Sequence, residues 1–215
     1  TLMLGQNPET VCFTGPPAHE HVHAWAGGSG TGPETLDHNR YLLNAPEPAI
    51  LDAGAVDLAA DYMMAGHSLG EHKILTPHAG ELERFLRRIH EHSPQRWEEM
   101  LDGALVPSRE DINAEPFRWV RAACELSGAT VMLKGSTTLI AAPVGATYSV
   151  HGATGWLATA GSGDTLTGIL GALLAQYMAA AQERHEQVEG CTYASLAALA
   201  VYLHNRAALA SLEGR

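Results

Sequence analysis

Basic residues are scarce in this 215-residue chain: 13 Lys and Arg stand against 24 Asp and Glu, a net charge of −11 at neutral pH. A field of that sign repels polyanions, so no nucleic-acid partner is expected, although a local site can still hold a small phosphate ligand. Cysteine is almost absent. Cys12, Cys124 and Cys191 are odd in number and widely spaced, with no CxxC pair, which excludes a disulfide framework and predicts reduced thiols in a cytoplasmic chain. Long apolar runs are missing too. None approaches the roughly 18 residues that span a bilayer, so no transmembrane helix and no membrane partner is expected. What remains, 46% hydrophobic and 17% charged residues with a mean hydropathy of −0.07, fits one globular domain or at most two small ones. Disorder and fibrous folds are excluded. The chain opens on Thr1 with no initiator Met and no basic-then-apolar leader, as expected of a fragment or a trimmed form.

Short β-rich runs alternate with helical ones, the pattern of an α/β sheet with crossover helices. Ile50-Leu51, Lys73-Ile74-Leu75 and Thr130-Val131-Met132-Leu133 read as strands, each ending in a polar or Gly/Pro-containing turn. Leu82, Phe85, Leu86 and Ile89 share one helical face, as do Phe117, Val120 and Cys124 in a segment stopped by Gly128. Residues 139–142 and 147–150 read as a hairpin around a Gly-containing turn. In the last third, Leu166, Ile169, Leu170, Leu173, Leu174, Tyr177 and Met178 form one helical core stripe, and Leu196, Leu199, Ala200 and Leu203 form another. Residues 91–114, with scattered charges and two prolines, read as an exposed insertion or mobile loop.

Three segments carry candidate chemistry. The first is Ala160-Gly161-Ser162-Gly163-Asp164-Thr165-Leu166-Thr167-Gly168, a glycine-rich turn that runs into an amphipathic helix. Glycines let backbone N–H groups converge, and the helix start adds unpaired donors and a positive dipole end, so the turn suits an anion. Asp164 there reads equally well as a helix cap and as a general base or substrate clamp beside the anion. The second is Lys134-Gly135-Ser136-Thr137-Thr138 at a strand end, where an ammonium and three hydroxyls can meet phosphate or ribose oxygens. Taken alone, it reads as a polar turn with a solvated lysine. The third is Thr76-Pro77-His78-Ala79-Gly80-Glu81, also at a strand end, which separates His78 from the other eleven histidines. The His19-His21-His23 and His90-His92 groups lack a carboxylate or cysteine set and read as surface histidines. Gly27 to Gly32 reads as a close backbone approach or a flexible loop, and Asp52 as a residue that faces the site or caps the next helix.

Together, Leu51-Asp52-Ala53, Thr76-Pro77-His78-x-Gly80-Glu81, Leu133-Lys134-Gly135-x-x-Thr138 and the Ala158 to Gly168 segment resemble the ADP/ATP-dependent NAD(P)H-hydrate dehydratases of the ribokinase-like superfamily. The resemblance runs from about Gly28 to the C-terminus. It implies one three-layer α/β/α sandwich with a mainly parallel sheet, and nucleotide-dependent dehydration of hydrated NADH and NADPH. By that resemblance, Asp164 is the catalytic acidic residue and also touches substrate, with His78 and Gly30 as further substrate contacts. Lys134, Gly135, Ser136, Thr137, Thr138, Gly161 and Gly163 hold ADP or ATP. Mg2+ accompanies the nucleotide, no protein metal-ligand set is assigned, and a homo-oligomer is expected. The sequence departs from the family pattern at Gly54, where an aspartate is usual, at Ser29 in the glycine loop, and over Ala153 to Leu157. The family's opening strand–helix units have no counterpart, so the domain is expected to be incomplete at its N-terminus. The alternatives are a vitamin-precursor or sugar kinase and a catalytically weak nucleotide-binding module.

Overall fold

The computed structural model describes Pro17, residues 20–30, 32 and 36–213; Thr1, Cys12, His19 and Thr31 lie outside the described residues. Six strands form one sheet in sequential order: β1 (Trp25–Gly27), β2 (Ala49–Leu51), β3 (Lys73–Leu75), β4 (Thr130–Leu133), β5 (Thr138–Ala141) and β6 (Thr147–Val150). β1 to β4 are parallel, and β5 and β6 follow as an antiparallel hairpin. Strands β2 to β5 are buried throughout, which explains their unbroken apolar character: both faces of the sheet are covered.

Side-chain alternation along the strands separates two cores. Leu51, Leu75, Val131 and Leu133 face a layer built from α1 (Leu36–Asn44), α2 (Gly54–Met64), α3 (Ala79–His92), α4 (Pro94–Leu101), α5 (Arg109–Ala114) and α6 (Pro116–Ser127). Ile50, Ile74, Met132 and Ile140 face the other layer, α7 (Ser162–Arg184) and α8 (Gly190–Glu213). The expected three-layer sandwich is therefore present. In α3 the stripe Leu82, Phe85, Leu86 and Ile89 is wholly buried, each side chain contributing roughly 2 kcal/mol. Gly128 ends α6 in the left-handed conformation (φ 69°), where glycine carries no Cβ penalty.

Three expectations need correction. Residues 91–114 are not a bare loop: they contain α4 and α5, which pin Trp97 and Ile112 into the core. Trp97 further donates its indole N–H to the Ala104 carbonyl, at 2.6 Å. Phe117 is 60% exposed, because α6 turns Trp119, Val120, Ala123 and Cys124 inward instead. On α8 the buried stripe is Tyr193, Ala194, Ala197, Ala200 and Val201, while Leu199 and Leu203 face outward. Alanine lets α8 approach α7 and the sheet closely, and that close packing outweighs the larger leucines in setting the helix phase. The α7 stripe is in phase, with Leu166, Leu170 and Leu174 buried. Among the described residues, no helix is long and apolar enough to cross a membrane.

Candidate active site

The four parallel strands end in register, so the residues that follow them meet along one edge. Asp52 donates its backbone N–H to the Gly27 carbonyl (3.0 Å), Thr76 to that of Leu51 (3.1 Å) and Lys134 to that of Pro77 (2.8 Å). His78 and Lys134 form an isolated parallel bridge. This carboxyl edge is where ligands sit in open α/β sheets. Gly28 packs so tightly over it that a Cβ would lie 1.7 Å from the Asp52 carbonyl oxygen, and its φ of +118° is itself a glycine conformation.

Asp52 is the hub of the edge. Its Oδ1 accepts from Lys134 Nζ (2.6 Å) and Thr76 Oγ1 (2.9 Å), and its Oδ2 accepts from Thr167 Oγ1 (3.0 Å) on α7. Burial alone would raise its pKa. The Lys134 ammonium and the hydrogen bonds from Lys134, Thr76 and Thr167 outweigh that and hold the carboxyl below its ordinary value. Glu81 is the second carboxylate near Lys134 Nζ, at 4.0 Å.

His78 caps α3. Its Nδ1 accepts from the backbone N–H groups of Gly80 (3.0 Å) and Glu81 (3.2 Å), and Glu81 returns the contact by accepting from the His78 N–H at 2.8 Å. This is a capping box with histidine in the serine position. Because Nδ1 is an acceptor there, the proton of the neutral ring sits on Nε2, which lies 3.5 Å from Glu81 Oε1.

α7 starts at the glycine-rich turn. Gly161 is its N-cap at φ 87° and supplies no side-chain cap, and the following N–H groups of Gly163 and Asp164 have no intrahelical acceptor by position. Lys134 Nζ lies 3.6 Å from where a Cβ on Gly163 would sit, so the ammonium and the helix start face the same point. Asp164 is exposed in the first turn, and its carboxylate takes no hydrogen bond from a described residue. The capping reading therefore has no hydrogen bond behind it.

A cavity of about 650 Å³ opens beside these groups. His78, Lys134, Gly135, Ser136, Thr138 and Gly163 line it. Thr137, Gly161 and Asp164 adjoin it in sequence without forming its wall, and Gly30 stands apart in the turn after β1, where a Cβ would meet no described residue within 4 Å. Three further wall residues escaped sequence reasoning. Arg109 is the first residue of α5, and His204 and Asn205 lie on the buried side of α8. Burial lowers the pKa of His204, and Asn205 donates to the His151 carbonyl at 3.4 Å. None of the three belongs to a local motif.

Among the described residues, no three His, Cys, Asp or Glu side chains converge as a metal site, and His21 and His23 make only an edge-to-face ring contact. A divalent ion carried on nucleotide phosphates takes most of its oxygen ligands from phosphate and water and needs no such cluster.

The mainly parallel sheet between two helical layers has a ribokinase-like α/β fold. A ribokinase-like superfamily protein from Enterococcus faecalis V583 superposes with a TM-score of 0.60 at 22% identity, covering 85% of this chain and 53% of its own. The sequence profile of the NAD(P)H-hydrate dehydratases matches residues 2–213, and the chain belongs to that family. It is 34% identical over 177 residues to the bifunctional NAD(P)H-hydrate repair enzyme Nnr of Mycobacterium tuberculosis, covering 80% of this chain and 32% of the relative. It is also 34% identical over 163 residues to the ADP-dependent (S)-NAD(P)H-hydrate dehydratase of Neisseria meningitidis, covering 73% of this chain and 49% of the relative. The chain thus spans a third to a half of these relatives. The Bacillus subtilis ADP/ATP-dependent NAD(P)H-hydrate dehydratase co-crystallized with ATP/Mg2+ matches in fold, with a TM-score of 0.69 at 24% identity over 99% of this chain and 66% of its own.

Proposed function

We propose that this chain carries out the nucleotide-dependent dehydration of hydrated NADH and NADPH, with ADP or ATP as phosphoryl donor. The supporting observation is the meeting of Lys134, the start of α7 and His78 at one cavity, in a chain whose family profile runs almost end to end. Hydroxide is a poor leaving group from the hydrated ring and phosphate a good one, so phosphorylating the ring hydroxyl turns a difficult elimination into an easy one.

Lys134 and the free N–H groups of Gly163 and Asp164 after Gly161 hold the transferring phosphate, and Gly135, Ser136, Thr137 and Thr138 bind the rest of the nucleotide. Asp164 accepts the proton of the ring hydroxyl as the hydroxyl attacks the terminal phosphorus and AMP leaves from ADP, or ADP from ATP, a role that suits a carboxylate free of other donors. The ring C–O bond then breaks to release phosphate as the adjacent carbon loses a proton to solvent, which restores the C=C bond. His78 orients substrate by donating from Nε2, which otherwise faces Glu81 Oε1 at 3.5 Å, since its Nδ1 is committed to the α3 cap. Gly30 offers backbone to the substrate. A Mg2+ ion carried on the nucleotide would supply positive charge that offsets the phosphates.

Incubating the folded chain with hydrated NADH, Mg2+ and ADP or ATP should restore absorbance at the reduced-nicotinamide band. No recovery with either nucleotide would overturn the proposal, and a stable phosphorylated metabolite in its place would identify a small-molecule kinase.

A further inference from the structure

Asp52 has no place in the catalytic scheme above, yet it joins more of the site than any other side chain. It lies at 2% exposure at the end of β2 and binds Lys134 after β4, Thr76 after β3 and Thr167 on α7. Its own backbone is held as well, by Gly28 pressed against its carbonyl and by Ala53, which continues the chain at φ 45°.

We propose that Asp52 is a positioning residue for nucleotide binding, fixing the Lys134 ammonium and the first turn of α7 at the spacing that a phosphate group bridges. This rests on the nucleotide site proposed above. An ammonium carries three donors on a flexible four-carbon stem. One donor is committed to Asp52 Oδ1, which leaves the others for a ligand on the Gly163 side. Thr167 ties the same carboxylate to the helix whose N-terminus completes the anion site, so one buried group sets both halves. Asp52 is unsuited to act as the base. Both of its oxygens are engaged by donors, and the adjacent ammonium lowers its affinity for a proton. Without its charge, Lys134 has Glu81 Oε2, 4.0 Å away, as its remaining carboxylate and is drawn from the turn.

The test is a double-mutant cycle on ADP affinity, with Mg2+ present, by titration calorimetry, alongside thermal melting of each protein without nucleotide. Asp52→Asn should weaken ADP binding about tenfold, Lys134→Met should weaken it further, and the double variant should bind no worse than Lys134→Met alone. A purely structural Asp52 would lower the melting midpoint and leave ADP affinity unchanged. That result, or effects that multiply in the double variant, would overturn the proposal. If Asp52→Asn does not fold, Thr167→Val decides: ADP affinity about threefold weaker at a near-native midpoint supports the role, and unchanged affinity overturns it. Wild-type protein that binds ADP but leaves hydrated NADH unrepaired overturns the dehydratase reading, while the cycle still measures Asp52. Wild-type protein that binds no ADP overturns both.

Discussion

Lys134 Nζ lies 2.6 Å from Asp52 Oδ1, although 82 positions separate the two residues in the chain. The pair joins the ends of β2 and β4, and it sets two acidic groups of the site apart. Asp52 is buried and tied to three donors, as the proposed positioning role requires. Asp164 is exposed and takes no hydrogen bond from a described residue, as the proposed base requires.

Asp164→Asn should therefore separate chemistry from binding. Turnover should fall at least about 100-fold, the usual scale of a lost general base, while ADP affinity stays within about twofold. Steady-state kinetics and calorimetry on the same preparation check this. Unchanged turnover would reduce Asp164 to an electrostatic contribution at the start of α7.

Gly28 and Gly30 should respond differently to alanine. At Gly28 a methyl group would collide with the Asp52 carbonyl at 1.7 Å in a backbone conformation that L-residues avoid, whereas at Gly30 there is open space and only φ +64° to pay for. Gly28→Ala should cost more than about 3 kcal/mol and Gly30→Ala about 1 kcal/mol, measured by urea unfolding.

Lys73 gives the fold a pH dependence. It is 1% exposed, and its ammonium donates to the carbonyls of Ala45 and Glu47, with burial pulling its pKa from the ordinary 10.5 to about 8 against a smaller opposing pull from Glu47. Between those two pH values the unfolded chain binds more protons at this position than the folded one, so stability rises with pH. Relative to Lys73→Met, wild-type protein should gain on the order of 3 kcal/mol from pH 8 to pH 10.5 and show no such difference in slope below pH 7. Urea unfolding of both proteins across that range would reveal it.

Cys124 should be chemically silent in the native state. It is fully buried, burial raises its thiol to about 12, and it points its S–H at the Ala129 carbonyl. Thiol labelling at pH 8 should reach Cys191, which is half-buried, well before Cys124, and Cys124 should react only at the rate of unfolding.

Strand and cap positions were legible because their signals are local. Lys73 to Leu75 and Thr130 to Leu133 are apolar runs ended by punctuation, and Gly128 and Gly161 mark helix ends by their own conformations. The α8 phase was not legible, because leucine and alanine compete for the inner face and the distance between helices decides. Residues 91–114 were misread for a similar reason: Trp97 and Ile112 anchor two short helices through tertiary burial, against weak periodicity. Within the site, the order of the four motifs marked the strand ends and the α7 turn. The hub at Asp52 depends on partners 24, 82 and 115 residues away, and Arg109, His204 and Asn205 reach the cavity from elements with no motif. Contacts of that range arise only once the sheet has brought its ends together.

The most direct measurement is stoichiometric: with ADP and Mg2+, the phosphate released, the AMP formed and the NADH recovered from hydrated NADH are quantified in one reaction. The proposed mechanism predicts equimolar amounts of all three, with no phosphate release when the hydrate is omitted. Phosphate released without NADH, or NADH recovered without nucleotide consumption, would contradict it.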